Sequence, residues 1–265
     1  MTRFRVIGPG RAGRSLEAAL KGAVGFESAG LLGSADPVAD AARNVDLLVV
    51  ATPDDVVAEV AAAVDPVATT PVVHLSGSLG LAVLAPHVRR GSLHPLVPLP
   101  NEVIGAERLR AGVTFAVAGD PVTTVVAEAL GGKVVEVDDA RRGAYHAAAT
   151  VAANHLVALL GQVERLADLA GLPLDAFAGL VRAAADDAFA LGPRAGLTGP
   201  AARGDWSTLE RHRTVIGEMP GRRTDLAAYD AMVALARRLV LDARVTDGEG
   251  PAAVPDTGAG TERVA

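Results

Sequence analysis

The sequence predicts an α/β domain with a doubly wound, mostly parallel sheet, followed by an all-α domain. Three observations carry this reading. In the first half, short and almost wholly apolar stretches alternate with amphipathic ones, as strands buried on both faces alternate with the helices that cover them. A glycine-rich turn follows directly on the first apolar stretch. Beyond Arg141 the short apolar runs stop, and long Ala- and Leu-rich segments with helical spacing take over.

Taken in order, Phe4–Ile7, entered from Arg3, is the first strand, and Arg11–Lys21 the helix after the glycine turn. Glu27–Leu32 reads as a second strand, Asp36–Arg43 as a helix and Val45–Ala51 (VDLLVVA) as a third strand. Thr52-Pro53 then opens a helix over Asp54–Val64, with Asp54 or Asp55 near its cap. Val72–Leu75, Thr114–Val117 and Val134–Val137 complete the strands, the last two flanking a helix over Pro121–Leu130. Arg141–Ala170 is a long proline-free helical segment, ended by Gly171-Leu172-Pro173. Asp175–Leu191, Thr208–Gly217 and Thr224–Ala243 are further helices, and Leu197–Asp205 is a loop interrupted by Gly and Pro. The expected domains are residues 1–140 and 141–245, with a Gly-, Pro- and Thr-rich tail, 246–265, expected to be disordered.

A chain of 265 residues can bury roughly three quarters of its unfolded surface, so it needs no metal or disulfide staple. Its core must be built from small side chains, because half the residues are hydrophobic but only 3% are aromatic. The absence of cysteine excludes a disulfide framework, a thiolate metal site and a Cys nucleophile, and no metal site is expected. A net charge of -6 argues against general nucleic-acid binding. No apolar run is long enough to span a bilayer, and the first strand begins so early that no secretory leader is expected. A cytoplasmic protein is the expectation.

Gly8-Pro9-Gly10-Arg11-Ala12-Gly13 is a GxGxxG, a weak pattern alone. Here it follows an apolar strand and opens an amphipathic helix, which is the context of a dinucleotide-binding Rossmann turn. Gly8 permits the tight turn, Gly10 lets the backbone approach a pyrophosphate, and Gly13 lets helix and strand pack closely. The phosphates then rest on the free N–H groups of the helix N-terminus. Enzymes that prefer NAD usually carry an acidic residue at the end of the second strand, about 20 residues beyond the glycines. Asp36 is slightly late for this and reads better as a helix N-cap. Ser34 instead suits a 2′-phosphate, with Arg11, Arg14 or Arg43 to balance charge, so NADP is favoured and NAD remains an alternative. Thr52, after the third strand, is expected to line the ribose and nicotinamide side.

Polar residues gather at four further places. Ser76 and Ser78 follow the strand that ends near His74, and either bind a nicotinamide or substrate oxygen or form a turn or cap. His94, fixed before Pro95 in a loop, is either a ligand-facing donor or structural. His146, Thr150 and Asn154 recur every four residues beside Tyr145, and drift by only about 40° per step on a helix. Such a stripe lines a cleft, makes helix–helix hydrogen bonds or faces solvent; the lack of charged residues from Ala144 to Gln162 disfavours solvent. Arg203 in the 197–205 loop suits a substrate carboxylate, or else clamps Asp205.

The stretches GPGRAG (8–13), HLSG (74–77), GSLHP (91–95), YHAAA (145–149) with Asn154, and LTGPAARGD (197–205) together resemble the bacterial proteins that join a Rossmann-like domain to a DUF2520 domain, within the 6-phosphogluconate dehydrogenase-like superfamily. The resemblance implies NADP use, a helical C-terminal domain and a homodimer acting on a small molecule. The superfamily includes ketopantoate reductases, pyrroline-5-carboxylate reductases and prephenate dehydrogenases, and some members look like an alternative ketopantoate reductase. Many superfamily enzymes place a Lys on the first helix of the second domain. This chain has only Lys21 and Lys133, and His146 takes roughly that place. The resemblance therefore implies an oxidoreductase in which His146 donates a proton and Asn154 orients the substrate, best matched to reduction of a small keto acid such as ketopantoate. An imine reductase of the pyrroline-5-carboxylate type and a non-catalytic dinucleotide sensor are the rivals.

Overall fold

The computed structural model describes residues 1–219 and 222–246 and divides the chain into two compact units, Met1–Val157 and the remainder from Ala158. Apart from Thr246, where the last helix ends, the expected tail lies outside the described residues.

The first unit is built on strands β1 (Thr2–Ile7), β2 (Phe26–Leu32), β3 (Leu47–Val50), β4 (Val72–His74), β5 (Arg90–Pro95), β6 (Thr114–Gly119) and β7 (Lys133–Glu136). They form one sheet in the order β2-β1-β3-β4-β5-β6-β7. Every pairing is parallel except β5 with β6. Helix α1 (Arg11–Lys21) joins β1 to β2, and α2 (Val57–Ala63), entered through a 3-10 turn at Asp54–Val56, joins β3 to β4. Helices α3 (Glu102–Leu109) and α4 (Val122–Ala129) follow β5 and β6.

Alternation along the strands divides the core. Phe4, Val6, Leu47, Val49, Val73, Leu93 and Phe115 pack with Leu16, Leu20, Leu109 and Val126. Ile7, Leu48, Val50 and Val72 pack with Val57, Ala61 and Leu84. This is the expected Rossmann-like arrangement, with helices covering a largely parallel sheet.

Three local expectations differ. Residues 36–43 form turns rather than a helix: Ala41 N donates to Val38 O and Arg43 N to Asp40 O, and side chains from elsewhere in the chain hold the end of the segment. Arg5 Nη1 donates to Ala41 O at 2.7 Å, and Thr70 Oγ1 donates to Ala42 O at 3.0 Å. Asp36 is therefore no helix cap; its Oδ2 accepts from Gly33 N at 2.7 Å. His94 lies in strand β5, not in a loop. That strand escapes a search for apolar runs because Arg90, Ser92 and His94 occupy one face of it, while Gly91, Leu93 and Pro95 occupy the other. Helix α3 was also unseen. Its start is marked by Asn101, whose side chain accepts from Ile104 N at 2.9 Å. Its interior is broken in composition by Gly105, a poor helix former whose purpose is contact: a Cβ there would sit 2.0 Å from Ser15 Oγ of α1.

From Arg142 one continuous helical run reaches Leu169: α5 (Arg142–Thr150), a π-helical segment at Val151–His155 and α6 (Leu156–Leu169). The second unit continues with α7 (Ala178–Leu191), α8 (Pro200–Arg203), α9 (Trp206–Gly217) and α10 (Arg222–Thr246). Within it Asp225, almost buried, accepts from Arg165 Nε and Nη2 at 3.2 and 2.5 Å, and its carbonyl accepts from Gln162 Nε2 at 2.6 Å. This ties α10 to α6. Leu209 and Ile216, two turns apart, bury one side of α9.

Gly105→Ala is expected to destabilise the first unit by about 1–3 kcal/mol through overpacking on Ser15. Gly143→Ala, where a Cβ meets nothing within 4 Å, is expected to be neutral or slightly stabilising by helix propensity. Equal urea midpoints for the two variants would contradict this packing.

Candidate functional site

At the end of β1 the backbone turns back on itself through two glycines. Gly8 has φ +109°, and a Cβ there would lie 2.6 Å from Ala51 O at the end of β3. A Cβ on Gly13 would lie 2.0 Å from Gly8 O. No other residue fits either place. Gly10 is different: a Cβ there would meet nothing within 4 Å. Gly10 is the N-cap of α1, with no side chain to cap the helix and no acidic residue in its first turn. The first-turn amides of a helix have no acceptor within it, and this end carries the positive pole of the helix dipole. The result is an open cradle of N–H donors suited to a phosphate. Leu32 O accepts from Gly8 N at 2.8 Å, which holds the end of β2 beside the turn.

The candidates around this turn are unequal. Thr52 follows β3 beside Gly8, and its buried Oγ1 has no hydrogen-bond partner. Ser34 is exposed at the turn after β2, with neighbouring Gly33 near Pro9. Arg43 pairs with Asp40 and Asp65, and Arg14 Nε donates to Pro9 O at 2.8 Å. Arg11 is exposed.

A second group forms at the ends of β4 and β5. Ser76 Oγ and Ser78 Oγ each donate to Asp54 Oδ2 at 2.7 Å, and Ser76 Oγ accepts from Ser78 N and Leu79 N, both at 3.1 Å. The two hydroxyls thus shape the 76–79 turn, and Asp54 anchors that turn instead of capping a helix. The turn brings Gly77 against two histidines. A Cβ on Gly77 would lie 2.9 Å from His94 Nε2 and 2.9 Å from His146 Cδ2. His94 Nδ1 and the Tyr145 hydroxyl share a 2.5 Å hydrogen bond. The His94 ring stands edge-on to both Tyr145 and His146, with centroids 5.6 and 6.3 Å away. His94, Tyr145, His146 and the Ser76–Ser78 turn, distant in sequence, therefore make one cluster within the first unit.

Burial sets the charge states here. His74, wholly buried, is held down to about 4, first by desolvation and then by the Arg142 guanidinium, against the opposing pull of Gly80, Asp54 and Asp139. His94 is also lowered to about 4, by desolvation first and then by His146 and Arg142. Desolvation pushes Tyr145 up to about 12, against the opposing effect of Arg142. At neutral pH both histidines are neutral and the phenol keeps its proton. In the tautomer with Nε2 protonated, Tyr145 donates to His94.

Arg142 is a site residue that the sequence reading missed. It precedes His146 by four residues and so begins the same polar stripe one turn earlier. Its guanidinium is buried, and Nη1 and Nη2 have no partner. Thr150 is partly buried at the end of α5. Asn154 falls in the π-helical segment, where the four-residue register is interrupted, and is exposed. In the second unit, Arg203 ends α8. Asp205 is not clamped by it; its carboxylate instead caps α9 by accepting from Thr208 N at 3.1 Å. Among the described residues no helix is long and apolar enough to cross a membrane. No group of three His, Cys, Asp or Glu residues there could hold a metal ion.

Residues 112–236 match the family profile DUF2520, a domain of unknown function. Among solved structures, the chain is similar to protein TM1727 of Thermotoga maritima, with TM-score 0.68 and 24% identity over 91% of this chain and 99% of that one. It is also similar to BF3122 of Bacteroides fragilis, named as a candidate NADP oxidoreductase, with TM-score 0.72 and 18% identity over 89% and 98%. A third is the Plasmodium falciparum pyrroline carboxylate reductase with NADP bound, with TM-score 0.58 and 12% identity over 90% and 98%. At these identities the likeness shows the fold. No functionally curated protein matches the sequence.

The two histidines held low, His74 and His94, make acid stability measurable. Each is neutral when folded but takes a proton near pH 6.5 when unfolded. Stability is thus complete above that pH and falls as pH drops towards 4, by about 1.4 kcal/mol per pH unit for each such group. Thermal melts should show this fall between pH 6.5 and 4, and His94→Gln should flatten it by about half. An unchanged slope in the variant would mean that His94 is not buried neutral.

Proposed function

We propose that this chain, with its Rossmann-like fold and DUF2520 domain, is an NADP-dependent oxidoreductase that reduces a small carbonyl compound, with a keto acid the best match. The observation that carries the reading is the uncapped α1 N-terminus, left open at Gly10 and enclosed at Gly8 and Gly13. The fold likeness to a pyrroline carboxylate reductase with NADP bound supports it.

The residues present fit a nicotinamide dinucleotide. In this reading Gly8–Gly13 hold its diphosphate through main-chain amides, Ser34 and Arg11 meet the 2′-phosphate, and Thr52 offers its free hydroxyl on the nicotinamide side. The bound cofactor supplies a hydride, while the protein binds, orients and provides the proton. His146 provides that proton: its ring carries an N–H donor and stands against His94 and the Gly77 turn. The Tyr145–His94 pair orients the cluster around it, and the Ser76–Asp54–Ser78 network fixes the turn that brings Gly77 against both imidazoles. Asn154 is retained as the substrate amide and Thr150 as a substrate contact.

The chain is further proposed to work as a homodimer. On α7, Leu180, Phe189 and Leu191 are 68%, 92% and 62% exposed, apolar side chains that a second copy of the chain would cover in this reading. Sedimentation should give twice the mass of the 26.8 kDa chain.

Two experiments test the catalytic reading. Gly10→Glu fills the open cradle with an anion, and should weaken NADPH binding at least 100-fold by calorimetry while leaving the melting temperature nearly unchanged. NADPH oxidation should then be screened against 2-keto acids, ketopantoate included, and cyclic imines. On the best substrate His146→Gln should lower kcat by 10²–10⁴-fold with little change in NADPH affinity. A mild loss on a cyclic imine would favour an imine reductase, and binding without turnover on any substrate would favour a dinucleotide sensor.

A further inference from the structure

Arg142 is among the most completely buried large side chains of the protein, 1% exposed. Its Nε donates to Asp139 Oδ1 at 3.2 Å. The two η nitrogens carry four further N–H donors, and neither meets an acceptor. A guanidinium does not shed its charge in a protein interior, so this arrangement is costly for the fold as it stands.

The neighbours have the same deficit. The hydroxyl of Ser92 is buried without a partner, and the buried His74 ring makes no well-aligned hydrogen bond, only an approach to the Gly80 backbone. His74 and Ser92 are paired residues of the β4–β5 ladder, so their side chains leave the same face of the sheet. His94, two residues beyond Ser92, leaves that face as well. The charge of Arg142 acts on His74, His94 and Tyr145 alike, which places the guanidinium alongside this row. Asp139 does not complete it: its side chain is half exposed, and Oδ2 is engaged with Leu81 N at 2.9 Å.

We propose that Arg142 is the receptor for a carboxylate of the substrate, its η nitrogens gripping both oxygens while His74 and Ser92 complete the shell. Two parallel N–H bonds match the spacing of a carboxylate. The local charge also selects it. Arg142 is one cation, with the Asp139 carboxylate beside it and the Asp54 carboxylate acting on the same two histidines, which suits a monoanion better than a dianionic phosphate. The inference rests on reading that cluster as the reaction site, and it narrows the substrate to carboxylate-bearing carbonyl or imine compounds.

The test is thermal melting of the whole protein with millimolar 2-oxobutanoate or its uncharged amide, at matched ionic strength, with and without NADP+. The wild type should be stabilised by the acid and not by the amide. Arg142→Met should remove that shift and, lacking an unpaired buried charge, should melt no lower than the wild type without ligand. Arg142→Lys, which keeps the charge but not the fork, should bind the acid at least tenfold more weakly, and it decides the matter if the Met variant does not fold. Equal response to acid and amide in the wild type, or an undiminished acid response in the variants, overturns the proposal. NADPH titration of the wild type alone reports separately on the dinucleotide reading, so the two can fail independently.

Discussion

At the end of β1, a hydrogen atom on Gly13 occupies the only space left between α1 and the carbonyl of Gly8. This close approach fixes how α1 leaves the sheet. Leu16, Ala19 and Leu20 are thereby buried, and Gly8 is set against the end of β3. The same contact leaves the α1 amides pointing outward past a glycine with no side chain. Packing and binding thus share one backbone feature: Gly8 and Gly13 are constrained by contact, and Gly10 by the need for empty space.

A second constraint acts at the other site. β5 carries Arg90, Ser92 and His94 on one face, where a parallel core would ordinarily place apolar side chains. Those polar groups need partners. α5 supplies Tyr145 to His94, but Ser92 and the Arg142 η nitrogens are left over, and His74 has only an approach to the Gly80 backbone. Among the described residues, buried polar atoms without partners are concentrated in this corner, with Thr52 Oγ1 and His87 Nδ1 elsewhere, and such a concentration is the pattern of a region shaped for something other than folding.

The fold was legible because its signals are local. The βαβ opening, the apolar β3 and the shift to helical spacing after Arg141 each lie within a few residues. What escaped depended on distant partners. Residues 36–43 have helix-compatible composition but form turns, with Arg5 and Thr70, far away in sequence, holding Ala41 O and Ala42 O. β5 and α3 were hidden because their polar residues and Gly105 serve tertiary contacts. At the site, His94 and His146 were both identified as candidates, yet nothing in the sequence joins them to each other or to Gly77. Arg142 sat in view beside Arg141, which pairs with Asp138. Only burial tells the two arginines apart.

The central claim is that the bare amides opening α1 receive a dinucleotide diphosphate. Amide hydrogen exchange with and without saturating NADPH tests this most directly. The account predicts new protection concentrated at residues 10–13 and 51–54, with α4 unchanged. Binding of NADPH that left the 10–13 amides exchanging at their free rate would contradict it.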